Sequence, residues 1–276
     1  MSKINVMVNG LPGNMGKIIS SSIARDDRFQ LLDASLTGPG IPDKAVEVEG
    51  ISVNLALPED HENALKAALE KYGSYIIVDY SHPSAVNPNA ELYCKVGIPF
   101  VMGTTGGDRP ALIQTVENSG IAAVIAPNMA KQIVGFQAMM EYAAKTFPGL
   151  FEGYTLTLVE SHQQGKADTS GTAKAMVSYF NKMGVPFETD EIVQIRDPEQ
   201  QKNDLGVPEE YLGGHGWHTY TLVSPDKTVK FSFTHNVNGR DIYRGGTADA
   251  VVYLSKKVAA GEKGRVFSMI EVMQGI

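Results

Sequence analysis

The run KINVMV at positions 3–8 leads straight into NGLPGNMG at 9–16, where Gly10, Gly13 and Gly16 recur at every third residue. The run is short and apolar with β-branched residues, so it reads as a buried strand. After Gly16, the segment KIISSSIA places Ile18, Ile19 and Ile23 at helical spacing. A glycine turn between a strand and a helix constrains the fold more than any other stretch of this chain. In that setting the backbone can approach a phosphate that a Cβ would keep away, and the first N–H groups of the helix meet the anion. Asn14 and Met15 lie in the same turn. The spacing is not GxGxxG, because Leu11-Pro12 separates the first two glycines. The competing reading is a tight turn that needs glycine for its own dihedrals.

The first half then alternates. FQLLDASL (29–36), YIIVDYS (75–81), PFVMGTTGG (99–107) and IAAVIAPN (121–128) read as strands or strands running into loops, while 58–72 and 84–96 read as helices. Apolar strands separated by helical patterns predict a doubly wound parallel sheet of the Rossmann type. Beyond about position 130 the pattern changes. The stretches 154–161, 217–223 and 229–237 alternate apolar with polar residues, which predicts an open mixed sheet in a second, α+β domain with one free face. That face is expected to serve as an oligomer interface. A last helix is expected over 247–261, stopped by Gly261.

Composition narrows the function. A formal net charge of −7 argues against nonspecific nucleic-acid binding, and no apolar stretch is long enough to span a bilayer. Cys94 is the only cysteine, which rules out an internal disulfide or a cysteine metal cluster and fits a reducing compartment. The opening residues run into a strand rather than a basic segment and an apolar core, so no signal peptide and a cytoplasmic location are expected. No metal is expected.

Ligands of doubly wound sheets bind beyond the carboxyl ends of the strands. Three such ends are polar or glycine-rich: NGLPGNMG, MGTTGG with Gly103, Thr104 and Thr105, and APNMAKQ with Ala126, Asn128 and Met129. Together they suggest one dinucleotide lying across the sheet edge. The second strand runs to Thr37, where NAD-selective sites carry an acid for the ribose 2′-hydroxyl. Without that acid a 2′-phosphate is not repelled, and Ser35 and Thr37 are candidate donors to it. NADPH is therefore expected to serve at least as well as NADH.

The densest chemistry lies in ESHQQGKADTSGTAKAMV, 160–177. A half-buried strand is expected to end at Glu160, followed by His162, Lys166 and Asp168 and then a helix with Ser170 as its N-cap. The N–H groups of Gly171 and Thr172 then suit a carboxylate. His162 is the natural proton donor near neutral pH, and Lys166 offers a charge and a second acid. The competing reading is a solvated loop. His61 reads as a surface residue and His82 as a cleft neighbour. His215 and His218 flank Trp217 without metal-like spacing, and His235 lies near Arg240, a second candidate anion contact.

The chain resembles the dihydrodipicolinate reductase (4-hydroxy-tetrahydrodipicolinate reductase) family, and most of all its plant-like branch. The resemblance runs end to end through VNGLPGNMGK, VDYSHPSAVNPNAELYCKVGIPFVMGTTGGDR, APNMAKQ, ESHQQGKADTSGTAKA, IRDPEQQ, GVPEEYLGGHGWH and HNVNGRDIY. It implies a Rossmann domain over 1–130 plus 245–276, a substrate-binding and tetramerising domain over 131–244, and NADH- or NADPH-dependent reduction of a cyclic dicarboxylate in the diaminopimelate route to lysine. By the same resemblance Gly10, Gly13, Asn14, Met15 and Gly16 hold the pyrophosphate. Gly103, Thr104, Thr105, Ala126, Asn128 and Met129 flank the nicotinamide ribose and ring. His162 and Lys166 are the proton-transfer pair, and Gln163, Ser170, Gly171 and Thr172 meet the substrate. The sequence departs from the family's bacterial pattern at Gln163, where a second histidine is usual, at the shortened DTSGTA, at Met129 in place of an aromatic, and at Thr37 in place of an acid. The sequence also admits two alternatives: another Rossmann oxidoreductase acting on a small dicarboxylate or amino-acid precursor, and a non-catalytic dinucleotide-sensing protein.

Overall fold

The structure is a computed structural model that describes residues 3–275. Its chain divides into two compact units. One holds the described residues up to Lys131 together with those from Asp241 onward, and the other is Gln132–Arg240.

The first unit opens with β1 (Ile4–Asn9) and α1 (Asn14–Arg25), followed by β2 (Phe29–Leu31), β3 (Ala34–Leu36), β4 (Ala45–Val48) and β5 (Ile51–Ala56). It continues with α2 (His61–Tyr72), β6 (Ile76–Asp79), α3 (Val86–Val96), β7 (Phe100–Met102), α4 (Arg109–Glu117) and β8 (Ala122–Ile125). In the second unit come α5 (Lys131–Thr146, its first residue still in the first unit), β9 (Thr155–His162), α6 (Gly171–Lys182), β10 (Val193–Ile195), one helical turn α7 (Pro198–Gln200), β11 (His215–Val223) and β12 (Lys230–Asn238). The chain returns to the first unit through α8 (Ile242–Ala259), β13 (Arg265–Phe267) and α9 (Met269–Gln274).

Six strands form an all-parallel sheet in the order β13-β8-β7-β6-β1-β2. Every residue of β6, β7 and β8 is buried, as expected of strands covered on both faces. The strand order reverses at β1 and β6, so the crevice of a doubly wound fold lies beyond Asn9 and Asp79, which are paired across that junction.

The single strand expected over 29–36 is two. β2 pairs with β1, whereas β3 leaves for a three-stranded sheet of order β3-β5-β4. The break falls at Leu32-Asp33. Leu32 still donates to Val6, but the Asp33 carbonyl already receives Asn54, and its carboxylate is held by Lys71 and Tyr72 at 2.7 Å each. Polar partners from outside the first sheet pull the chain away from it.

The second unit is built on a four-stranded mixed sheet of order β10-β9-β11-β12. Leu158, Tyr220 and Leu222 point into a core closed by α6, with Phe180 and Met176 fully buried. The other face stays open, and β12 has no fully buried residue. β9 runs two residues beyond Glu160 to His162, which turns the expected strand end into a buried mid-strand position. The last long helix begins at Ile242 rather than 247. No helix among the described residues is long and apolar enough to cross a membrane.

Candidate functional site

In the glycine turn, Gly10 adopts φ +101°, and Gly13 N–H donates back to the Gly10 carbonyl at 2.9 Å. A Cβ on Gly10 would lie 2.4 Å from the Tyr80 carbonyl oxygen, and one on Gly13 or Gly16 would lie 2.8 Å from the Gly10 oxygen. The turn's own backbone therefore demands all three glycines, in keeping with the tight-turn reading. The turn still leaves a usable anion site. α1 starts after Gly13 with no side-chain cap and no acid in its first turn, so its leading amides keep their donors. Asn14 is exposed and Met15 half-buried at this end.

Below the turn sits a buried polar network. Asp79 has no exposure, and its carboxylate accepts from Tyr93 Oη at 2.6 Å, Asn89 Nδ2 at 2.9 Å, Ser81 Oγ at 2.6 Å and Ser81 N–H at 2.8 Å. Asn9 links this network to the next strand, donating to Tyr93 Oη at 2.8 Å and accepting from Leu36 N–H at 2.9 Å.

The other residues expected at the coenzyme divide into two groups. Gly103 faces the Tyr80 ring so closely that a Cβ would lie 2.4 Å from it, and Tyr80 Oη meets Thr247 Oγ1 at 2.7 Å. Thr105 is exposed, Asn128 is half-buried and caps Ala130 N–H, and Ala126 and Met129 are buried. The Met129 carbonyl lies against Gly246 of α8, where a Cβ has no room. Thr104 turns its hydroxyl inward to the Ser81 carbonyl at 3.1 Å. Thr37 does the same. It is 5% exposed, its Oγ1 donates to Leu11 O at 2.7 Å, its N–H donates to Ala56 O, and its carbonyl meets His61 Nε2 at 3.0 Å. Neither Thr37 nor the buried Ser35 offers a donor to a 2′-phosphate, which corrects that expectation; His61 is likewise no simple surface residue.

In the second unit, β9 ends at His162 opposite Gly216 of β11. The imidazole packs over that glycine, since a Cβ there would lie 3.1 Å from His162 Cε1. His162 Nδ1–H donates to the His215 carbonyl at 3.0 Å, which leaves Nε2 as a buried nitrogen with no partner among the described residues. Burial, with the adjacent His218 acting in the same direction, pushes the His162 pKa down to about 4. In these surroundings His162 is thus a neutral imidazole with a lone pair on Nε2, not the ready-made proton donor its ordinary value of 6.5 suggests.

Cross-strand pairing explains the crowding. Glu160 faces His218, and His218 faces His235. The His218 ring stacks on His235 at 4.7 Å and meets His162 edge-on at 5.1 Å. Both nitrogens of the buried His218 lack hydrogen-bond partners among the described residues, although its Nε2 lies 3.7 Å from Glu160 Oε2. Glu160, His162 and His218 bring donor atoms within 4.8 Å of one another, yet Glu160 is already closed on the Arg196 guanidinium. Burial would raise the Glu160 pKa, but His218, Arg196 and Ser170 N–H hold it at about 2.

Between His162 and α6 the loop carries the other expected residues. The Lys166 side chain is 19% exposed, and its ammonium pairs with the exposed Asp168 at 2.6 Å. Gln163 is half-buried, and its carbonyl accepts Lys166 N–H. Ser170 occupies the N-cap of α6 as expected, but its hydroxyl does not cap the helix. The amides at Gly171 and Thr172 follow in the first turn, which holds no acid. Sequence reasoning missed Glu160, Arg196, Gly216 and His218 as members of this site. Only the register of β9 against β11 and β10 brings them together, and that register has no short-range signal.

Family models of dihydrodipicolinate reductase match both parts of the chain, the N-terminal one over residues 4–129 and the C-terminal one over 133–273. The chain belongs to the dihydrodipicolinate reductase family. Relatives agree along its length. It is 50% identical over 271 residues to 4-hydroxy-tetrahydrodipicolinate reductase 2, chloroplastic, of Arabidopsis thaliana, covering 98% of this chain and 77% of that protein. It is 34% identical to the 4-hydroxy-tetrahydrodipicolinate reductase of Nitrosomonas europaea, covering 99% of both. In fold it resembles the dipicolinate-bound dihydrodipicolinate reductase of Paenisporosarcina sp. TG-14, with a TM-score of 0.66 at 17% identity over 97% of this chain and 98% of that one.

Proposed function

We propose that this reductase-family chain converts 4-hydroxy-tetrahydrodipicolinate to tetrahydrodipicolinate in the diaminopimelate route to lysine. The observation that carries the reading is the cluster of His162, Lys166 and the uncapped start of α6 within one short stretch of a full-length family match. In this reading the first unit binds the coenzyme and the second binds the substrate.

The first unit fits a nicotinamide dinucleotide. The turn at Gly10–Gly16 presents uncapped amides to a pyrophosphate, and the crevice at β1 and β6 continues past Gly103, Thr105 and Asn128. When bound, NADH or NADPH supplies the hydride. Ala126 and Met129 shape the buried end of that path through their backbone, while Thr104 and Thr37 brace it from within.

In the second unit, one substrate carboxylate takes the Gly171 and Thr172 amides together with Lys166, and Ser170 and Gln163 line the same edge. A dianion beside His162 offsets the burial that keeps its imidazole neutral, so substrate binding raises the His162 pKa and draws a proton to Nε2. The 4-hydroxyl leaves as water to give the conjugated imine that accepts the hydride, and that proton, or one from Lys166, quenches the charge left after hydride addition. Dipicolinate binding should accordingly take up protons from solution at pH 7, and no uptake would remove His162 as the carrier.

A thiol-dependent dehydrogenase fits poorly. Cys94 is half-buried in α3, and burial pushes its thiol up, the wrong direction for a nucleophile. The open face of β12 and the exposed Met139 and Tyr142 of α5 support assembly, read here as a homotetramer. The cytoplasm remains our proposed compartment, on the strength of the lone reduced cysteine; the similar Arabidopsis protein is chloroplastic by name. The deciding assay follows NADPH oxidation with and without the product of dihydrodipicolinate synthase. Oxidation independent of that product, or none with it, would refute the reductase reading.

A further inference from the structure

The two proposed anion grips, the Lys166 ammonium and the first amides of α6, lie towards opposite ends of the irregular loop 163–170. A flexible loop cannot keep two grips at a fixed span, so something must tie both to the sheet. Glu160 does so. Its Oε2 accepts Ser170 N–H at 3.1 Å, at the residue immediately before α6. Its Oε1 takes the Arg196 guanidinium, and Arg196 Nε donates onward to the Lys166 carbonyl at 3.0 Å. The carboxylate sits inside β9 with no solvent exposure, and β10, which leads into Arg196, is hydrogen-bonded to β9. The Glu160 end of the tie is closed to competing water, the Arg196 side chain is only 16% exposed, and the guanidinium is a rigid planar fork rather than a flexible point charge.

We propose that Glu160, acting through Arg196, is the positioning residue that sets Lys166 and the first amides of α6 to the span of one substrate carboxylate. Glu160 itself touches no substrate, because its oxygens are consumed inward by Ser170 and Arg196. This pairing also explains why a fully buried position of β9 carries an acid. A buried carboxylate with only a packing role would affect unfolding but would leave the span between the grips, and therefore dicarboxylate affinity, unchanged.

The proposal rests on the reductase reading, and one set of measurements separates the two. Dipicolinate binding is titrated calorimetrically on the full chain with NADPH present, alongside steady-state turnover. If the wild type neither binds dipicolinate nor turns over substrate, the reductase reading itself fails. Given wild-type binding, Glu160→Gln keeps the shape of the side chain but removes its charge. It should weaken dipicolinate binding and raise the substrate KM by roughly 10²-fold, the scale of an ångström-sized misplacement, with NADPH affinity unchanged. Arg196→Lys retains a cation for Glu160 but cannot bridge two fixed acceptors, and should show the same loss. It decides the question alone if Glu160→Gln does not fold. Adding Lys166→Ala to either variant should cost less than the sum of the separate effects, since both act through one grip. Unchanged dipicolinate affinity in the folded variants, or fully additive losses, would overturn the proposal.

Discussion

Asp79 and Glu160 are both fully buried carboxylates at or near the carboxyl end of a strand, yet they are satisfied by different chemistry. Asp79 receives only neutral donors, from Tyr93, Asn89 and Ser81. Glu160 receives a guanidinium, one backbone amide and a nearby imidazole. The neutral network holds two strand ends and α3 in place beneath a turn whose own donors are backbone amides. The ionic network organises a loop whose working groups are side chains that titrate. The substrate end should therefore respond to pH through His162, whereas the coenzyme end binds through backbone amides.

The sharpest test of this contrast is His162→Gln. It should lower kcat by roughly 10²–10⁴-fold, the usual contribution of a positioned proton donor, while coenzyme affinity stays the same. Near-native turnover would pass the role to Lys166.

Tyr93→Phe probes the other carboxylate. The hydroxyl serves Asp79 and Asn9 at once, so its loss leaves buried polar atoms unpaired at a cost of about 1–3 kcal/mol. Urea unfolding should register this loss while dipicolinate affinity does not change. Weakened dipicolinate binding in Tyr93→Phe would show that the two networks are not separate.

The pH dependence of stability gives a smaller but distinct signal. His162 and His235 are both pushed down to about 4, chiefly by burial. The unfolded chain binds protons there before the folded one does, so stability present above 6.5 is lost as pH falls towards 4. Glu160, depressed to about 2, adds stability above its ordinary 4.5 that is lost only as pH falls further. Thermal melts between pH 8 and pH 4 should show a declining midpoint, and His235→Phe should flatten the decline. A flat wild-type profile over that range would mean that these imidazoles are not buried neutral.

The smallest expected effect concerns coenzyme choice. NADPH should serve at least as well as NADH, because no acid stands at the end of β3 to repel a 2′-phosphate. The inward-facing Thr37 supplies no positive discrimination, so the ratio of kcat/KM values should be modest. A strong NADH preference would place an acid elsewhere on the ribose.

Much of this was legible in the sequence for local reasons. Strand, glycine turn and helix follow one another within the first residues, and each is set by nearest neighbours. The change from continuous apolar runs to alternation after about position 130 reports strands buried on two faces and then on one. His162, Lys166 and the Ser170 N-cap are likewise close in the chain, and their grouping survives whatever register the sheet adopts.

What the sequence did not determine depends on pairing at a distance. The split of 29–36 into β2 and β3 follows from partners of Asp33 and Leu32 that lie elsewhere in the chain. Only the fold makes Thr37 a buried brace rather than a ligand contact. The row Glu160, His218, His235 exists because β9, β11 and β12 align in one register, and a slip of one residue would send these side chains to the opposite face. Tertiary structure also reset the chemistry of His162, since an imidazole takes its pKa from burial and neighbouring charge, and neither is written in the adjacent residues.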